Sequence, residues 1–529
     1  MTAALSIPLH VPAEAPAAPR EAERGTPCTM IIFGATGDLS RRKLMPALFH
    51  LMSDGLLSKN FNVIGIGRGE MSDDQFRDAT RLALESAGVP GASESSAWNH
   101  FADRLGYVSG DLSDGATYVA LRDRLSMLER ADDAENKRPR GRLFYLALPP
   151  RAYETALVHL SESGLAPRVA DAQQRPWVRI IIEKPFGSSL ESARALNQVI
   201  GERFAEHQIF RIDHYLGKET VQNLLVFRFA NSIFEPVWNR NHIHHVQITA
   251  AESIGIEHRA GYYEDAGVFR DMFQNHLLQI LALTAMEPPV AFGAEAVRAE
   301  KVKVLDAIRP ISPDDVHRYS VRGQYGPGRV GGKDVPGYRQ EDGVAPRSTT
   351  PTFAALRLLI DNWRWQGVPF FLRSGKRMPR RATEIAIRFR QPPHLMFPLA
   401  TDETIAPNVL AFRIQPDEGI SLCFEVKVPD HHFRMATATM DFSYADGFGP
   451  SGHSAYETLL VDCMLGDNTL FTRTDGVEAA WRVVDPIVAA DDEGSSARLP
   501  NYAAGEWGPA EADALIRGDG AEWRTPVSP

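Results

Sequence analysis

The sequence predicts two unlike architectures in one chain. The first is an α/β unit on a parallel sheet; the second is a larger α+β domain built on a mostly antiparallel sheet with helices on one face. Three observations carry this. The first half contains short, mostly apolar runs, Cys28–Phe33, Phe61–Ile66, Arg142–Leu148 and Trp177–Ile182, each followed closely by Gly or Pro. Runs apolar on successive positions suit strands buried on both faces, as in parallel sheets. The second half contains His244–Ala250, Phe353–Ile360, Glu384–Phe389, Val409–Ile414, Ile420–Val428 and Phe433–Phe442, several with the period-two alternation of one-sided strands. Finally, 529 residues exceed what one core sustains. The expected division is a disordered tail over 1–27, a dinucleotide-binding domain over 28–212, a substrate-binding and oligomerisation domain over 213–510, and a C-terminal tail over 511–529.

Composition excludes several classes. The formal charge is 57 − 67 = −10, which argues against a general nucleic-acid or anionic-membrane binder. No apolar run approaches the ~20 residues of a membrane span. Cys28, Cys423 and Cys463 lie far apart without metal-ligand spacing, which suits a reducing compartment and a cytoplasmic location. The Ala- and Pro-rich start lacks the basic and apolar regions of a signal peptide.

In chain order, Cys28–Phe33 ends at Gly34-Ala35-Thr36-Gly37-Asp38-Leu39-Ser40, and Leu44, Leu48 and Leu51 then recur at helical spacing. Strand, glycine turn and helix open a Rossmann-like unit, in which the glycines let backbone approach a pyrophosphate. Phe61–Ile66 ends in Gly67-Arg68-Gly69-Glu70, where the adenosine ribose would sit. An arginine there meets the 2′-phosphate of NADP and a carboxylate favours NAD; Arg68 inclines the reading to NADP, and Glu70 leaves NAD use open. Ligands of such sheets gather at the C-terminal strand ends, where Thr36, Arg68, Tyr145 and Lys184 fall. Arg211–Glu219 (RIDHYLGKE) follows the strand-like Gln208-Ile209-Phe210 and precedes the helical spacing of Thr220–Phe229. Its Asp213, His214, Tyr215 and Lys218 crowd a strand-to-helix corner, a setting that suits an anion.

Asp265–Leu283 reads as one α-helix with Phe269, Met272, Phe273, His276 and Ile280 on one stripe, so His276 points inward. A dry imidazole is a natural base for a sugar hydroxyl at neutral pH. On an ideal α-helical wheel Asp271 lies ~140° from His276, so the two need not share a ligand. Arg373, Lys376, Arg377, Arg380 and Arg381 cluster after the apolar start of Pro369–Met378, a credible phosphate clamp in an acidic chain. His242, His244 and His245 lack a nearby Cys or acid at ligand spacing, so no metal is expected.

Taken together, GATGDLSRRKL, RLFYLALPP, IIEKPFG, RIDHYLGKE, RDMFQNH, PFFLRSGK and AYETLLVDCMLGDNTLF resemble glucose-6-phosphate dehydrogenases, in order from about Cys28 to NYAAGEWGP. The resemblance implies oxidation of D-glucose 6-phosphate at C1 to the 6-phospho-lactone, with hydride passing to NADP, as the first step of the pentose phosphate pathway. It implies His276 as general base oriented by Asp213. His214, Tyr215 and Lys218 would bind the substrate phosphate, Glu252 and Asp271 its hydroxyls, and Lys376 and Arg381 would add further substrate contacts. Lys184 would lie near both sugar and coenzyme. Gly34, Thr36, Gly37, Asp38, Leu39, Lys43, Arg68 and Tyr145 would surround the coenzyme. Ala382 stands where eukaryotic members place a lysine for a second, structural NADP, so that site is not expected. A homodimer or homotetramer is expected from an exposed sheet face. Two rival readings are a sugar oxidoreductase of the Gfo/Idh/MocA type, which shares the EKP lysine, and a non-catalytic NADP(H)-binding regulator.

Overall fold

A computed structural model describes residues 24–93, 95–134, 140–397, 405–429, 434–449, 454–492 and 499–526. The expected tail over 1–27 therefore lies largely outside the described residues.

The first sheet holds six parallel strands: β1 (Cys28–Phe33), β2 (Phe61–Gly67), β3 (Leu105–Ser109), β4 (Gly141–Leu146), β5 (Val178–Ile182) and β6 (Ile209–Arg211). Their order, β3-β2-β1-β4-β5-β6, is that of the Rossmann fold, with the direction of strand addition reversing between β1 and β4. Hydrophobic residues on both faces of the sheet are buried, which is why these strands read as continuous apolar runs. Leu105–Ser109 is a strand that sequence reasoning did not single out; it is short and interrupted by Gly106.

The second sheet has eight strands. They are β7 (Ile243–Ala251), β8 (Ser320–Gly323), β12 (Phe353–Leu359), β13 (Pro369–Gly375), β14 (Ala382–Phe389), β15 (Val409–Gln415), β16 (Gly419–Lys427) and β17 (Met435–Ser443). Between β8 and β12 lie the short strands β9 (Tyr325–Gly326), β10 (Gly328–Val330) and β11 (Lys333–Val335), and β18 (Tyr502–Ala503) pairs with β9. The large sheet runs β17-β16-β15-β14-β7-β13-β12-β8 and is antiparallel except where β13 meets β7. One face, with Val246, Ile248, Leu372, Ile385 and Phe412, packs under the helices Glu219–Phe229, Leu278–Ala285 and Ala294–Asp306.

Two sequence expectations are refined. Residues 511–526, read as a tail, include part of the helix Ala510–Arg517 and pack on the opposite face of the large sheet, where Trp523 meets Phe371. The chain also returns to the first unit late. Helix Ala455–Leu465 and helix Thr474–Asp492 contribute Leu459, Leu460, Cys463, Val477 and Trp481 to the cores around the parallel sheet. Arg179 on β5 donates to the Cys463 and Met464 carbonyls at 2.7 and 2.8 Å. Gly217 is required by that return: a Cβ there would lie 2.5 Å from the Ala455 carbonyl oxygen.

The expected helix over 265–283 is three segments. Ala260–Val268 breaks at Gly267, whose φ is 55°, Phe269–Leu277 is a π-helix, and Leu278–Ala285 resumes as α.

Candidate active site

The site forms where the end of β6 meets the π-helix. Asp213, two residues beyond β6, accepts from the Tyr215 backbone N–H at 3.0 Å and pairs through the same Oδ1 with His276 Nδ1. Both side chains are almost wholly buried. Burial lowers the imidazole's affinity for a proton, and this outweighs the opposing pull of Asp213. Burial also works against ionisation of Asp213, but the adjacent His276 overcomes it and the carboxyl falls to about 2. The arrangement is an ionised orienting acid holding a neutral imidazole, with Nε2 left as the proton-accepting atom.

Tyr215 stacks on His276 with ring centroids 4.2 Å apart and planes at 24°. His214 meets His276 edge-on at 4.7 Å and lies parallel to Tyr456 at 6.2 Å. Burial, reinforced by the neighbouring His276 and Lys184, pushes the His214 imidazole well below its ordinary value. Asp213, His214 and His276 are also the one group among the described residues whose potential metal-ligand atoms lie within 4.8 Å of one another. Two of those residues are already joined in the acid–imidazole pair.

Beside the imidazole runs a row of alternating charges. Lys184 donates to the Asp271 backbone carbonyl at 2.9 Å and to its carboxylate at 3.1 Å. Lys376 lies 3.8 Å from the other Asp271 oxygen and donates to Glu252 at 2.5 Å. Burial opposes ionisation of Asp271, but Lys184 and Lys376 overcome it and hold the carboxyl far below the ordinary range. Asp271 reaches this row because the helix is π there. Hydrogen bonds from i to i+5 widen each turn, so residues five apart, Asp271 and His276, return to nearly the same side; the ~140° separation of the sequence reading assumed 3.6 residues per turn.

On the other side of Tyr215 the cations converge. Lys218 Nζ and Arg381 Nη2 both donate to Gln415 Oε1, at 2.6 and 2.9 Å. Gln415 Nε2 in turn donates to Thr383 Oγ1 at 2.9 Å and the Tyr215 hydroxyl at 3.2 Å. Burial, together with the nearby Arg381 and Lys43, lowers the Lys218 ammonium to about 8. Two cations sharing one neutral oxygen are under-compensated, and a dianionic group relieves that.

The structure separates the five clustered cations. Strand alternation turns Arg373 on β13 away from the site, under Trp523 and Trp507 at 4.5 and 5.0 Å, with a hydrogen bond to the Arg524 carbonyl. Arg377 pairs with Glu341, and Arg380 lies over Trp507. Only Lys376 and Arg381 join the site, so the five do not form one clamp.

The dinucleotide end has its own geometry. Gly34 takes φ 80°, and a Cβ there would stand 2.3 Å from the Ala147 carbonyl oxygen. Gly37 N–H closes the turn on the Gly34 carbonyl at 2.9 Å, and a helical stretch starts at Ser40. Thr36, Asp38 and Lys43 line a groove of ≈ 1000 Å³ with Phe76 and Ala83, and Leu39 lies between them in the turn. Exposed Arg68 follows β2. This cradle at the β1/β4 reversal fits a dinucleotide. Tyr145 differs from the others: it is fully buried and its hydroxyl donates to Glu183 at 2.5 Å. Its place is behind the site, holding the residue before Lys184. The Lys184–Pro185 bond is cis.

Sequence reasoning missed Gln415, Thr383, Glu183, Tyr456 and also Tyr262, whose hydroxyl donates to Asp271 Oδ1 at 3.3 Å. Glu183 carried a signal, an acid closing an apolar strand; the others sit on elements whose approach to the site is set by tertiary packing.

Residues 31–223 match the family model "Glucose-6-phosphate dehydrogenase, NAD binding domain", and residues 225–524 match the C-terminal domain of the same family. The chain belongs to the glucose-6-phosphate dehydrogenase family. It is 48% identical over 500 residues to the glucose-6-phosphate 1-dehydrogenase of Aggregatibacter actinomycetemcomitans, covering 94% of this chain and 97% of that protein. It is 44% identical to glucose-6-phosphate 1-dehydrogenase 2 of Mycobacterium tuberculosis strain H37Rv, over 94% of this chain and 95% of the relative. Among solved structures, a glucose-6-phosphate dehydrogenase in complex with its substrate glucose-6-phosphate superposes with TM-score 0.84 at 36% identity, covering 95% of this chain and 99% of that one. The enzyme from Mycobacterium avium gives 0.78 at 35%, over 95% and 100%. Membership makes the chain a nicotinamide-dinucleotide oxidoreductase and removes the Gfo/Idh/MocA and silent-regulator readings.

Proposed function

We propose that the enzyme oxidises the C1 hydroxyl of glucose 6-phosphate with His276 as the base, and that the buried Asp213–His276 pair carries this reading. The dinucleotide, when bound, supplies the hydride acceptor. His276 Nε2 takes the C1 hydroxyl proton as hydride leaves, and Asp213 stabilises the imidazolium that forms. Glu252 and Asp271 accept from sugar hydroxyls, and Lys184 and Lys376 hold those carboxylates in place. His214, Tyr215, Lys218 and Arg381 bind the phosphate, whose binding energy orients the distant C1.

We assign NADP as the favoured coenzyme on exposed Arg68, with NAD use left open by Glu70; Gly34, Thr36, Gly37, Asp38, Leu39, Lys43 and Lys184 complete that site, and Tyr145 supports it through Glu183. The enzyme is placed in the cytoplasm on its three free cysteines, and as a homodimer or homotetramer on the half-exposed strands β16 and β17, where Met440 is open to solvent. Among the described residues no helix is long and apolar enough to cross a membrane.

Initial rates of coenzyme reduction test the substrate and the coenzyme together. Reduction is expected with glucose 6-phosphate and not with glucose at equal concentration; equal rates on the two sugars would overturn the phosphate pocket. Arg68→Ala is expected to lower the ratio of kcat/KM for NADP over NAD about 10-fold, the worth of one charge-assisted contact. An unchanged ratio removes Arg68 from the 2′-phosphate.

A further inference from the structure

Asp271 divides its carboxylate between two tasks. Lys184 Nζ at 3.1 Å and the Tyr262 hydroxyl at 3.3 Å both donate to Oδ1, and Lys184 also donates to the Asp271 backbone carbonyl at 2.9 Å. Two donors fill the two lone-pair sites of one carboxylate oxygen. Lys376 lies 3.8 Å from Oδ2, beyond hydrogen-bond reach. Among the described residues no hydrogen bond ends on that oxygen. Oδ2 is therefore the acceptor that the protein leaves open, on the Lys376 side of the charged row.

Tyr262 reaches Asp271 because the helix breaks between them. The two are nine residues apart. In an unbroken α-helix such residues point to opposite sides and sit ~14 Å apart along the axis. Gly267, at φ 55° and ψ −177°, adopts a conformation essentially confined to glycine. The Val268 N–H leaves the helical ladder there for the Pro351 carbonyl at 3.0 Å. The helix Ala260–Val268 is thereby laid against the charged row. Its next residue, Tyr263, sets its ring centroid 4.9 Å from the Lys376 ammonium. One short helix thus touches both Asp271 and the lysine beside its open oxygen. Burial, reinforced by the Asp271 carboxylate, pushes the Tyr262 phenol up to about 12, so the hydroxyl keeps its proton and donates. Neither the proton transfer nor the phosphate pocket uses Tyr262.

We propose that Tyr262 is a positioning residue for sugar recognition: by occupying Asp271 Oδ1 beside Lys184, its hydroxyl fixes the plane of the carboxylate and keeps Oδ2 for one hydroxyl of the sugar. The proposal rests on the reading of Asp271 as an acceptor for a sugar hydroxyl. The last torsion of an aspartate is intrinsically broad. Without the phenol the carboxylate turns toward Lys376, and Oδ2 pairs with that ammonium instead of the sugar.

Calorimetric titration without coenzyme reads sugar binding in the absence of turnover. Tyr262→Phe should raise the Kd of glucose 6-phosphate about 10-fold, the strength of one hydrogen bond to a charged acceptor. Among the 1-, 2-, 3- and 4-deoxy analogues of that ester, one should bind the variant and the wild type equally, because it lacks the hydroxyl that Oδ2 accepts. The others should show the full loss. An unchanged Kd for glucose 6-phosphate, or an equal loss on every ligand, overturns the role. Coenzyme affinity should be unchanged; a parallel loss there would make Tyr262 a support of the fold and overturn the role as well. Asp271→Asn separates the two readings, since it should weaken glucose 6-phosphate while sparing the same analogue. If it weakens all the ligands alike, Asp271 holds no sugar hydroxyl. If it spares one and Tyr262→Phe spares none, Tyr262 alone is refuted.

Discussion

His276→Asn is expected to lower kcat by about 10²–10⁴-fold, the range that a positioned general base contributes, with coenzyme affinity unchanged. Asparagine has similar reach and can still donate to Asp213, so the buried pair keeps a hydrogen bond and the fold is retained. What it cannot do is take a proton as hydride leaves C1. The glycine turn and Arg68 belong to a different part of the structure, so fluorescence titration of the coenzyme should give the wild-type affinity. Loss of coenzyme binding in parallel would mean that the substitution collapsed the site, and the base assignment would fall. The wild-type pH profile supplies a second check. A general base must be neutral to act, and burial depresses the proton affinity of His276. Activity should therefore persist as pH falls through the ordinary histidine value of 6.5 and decline only below it. An acid limb above 6.5 would contradict the buried, neutral imidazole.

Lys218→Met is expected to act on the phosphate alone. A charge-assisted hydrogen bond is worth about 1.5–3 kcal/mol, so kcat/KM for glucose 6-phosphate should fall about 10- to 150-fold. Residual turnover of unphosphorylated glucose should be unaffected. The methionine stem fills the same space over the Tyr215 ring, which the ammonium faces at 5.2 Å, so packing is not the variable. Arg381 then bonds Gln415 without a competing cation. Equal losses on both sugars would show that Lys218 supports the loop rather than the phosphate.

Much of this architecture was legible in the chain. The strands of the parallel sheet declare themselves because burial on both faces demands apolar residues at every position, and the RIDHYLGKE corner concentrates its polar groups within one loop. What escaped depends on contacts between distant segments. Nothing local marks Gln415, the last residue of a strand, as the oxygen on which Lys218 and Arg381 meet. Arg373 and Lys376 look alike in sequence, yet one lies under two indoles and the other between Glu252 and Asp271, because strand alternation and the turn after β13 send them to opposite faces. The late helices that complete the core of the first unit were assigned by chain order to the second. The helical wheel misplaced Asp271 for a different reason: periodicity was read at the usual pitch, and the extra residue per turn has no signature in residue type.

That widened turn makes chain length within 269–277 a functional quantity in its own right. In a regular α-helix, residues four apart share a face; here the acid and the imidazole share it at five. Deleting one residue between them would let the segment relax to α-geometry with the pair aligned and the upstream residues, including the Gly267 break, in place, whereas inserting one would turn everything upstream by about 100°. Substitution scans leave this relationship intact, whereas single-residue insertions and deletions alter it directly. Homologues that differ in length here should therefore be compared by geometry before their residues are equated by position.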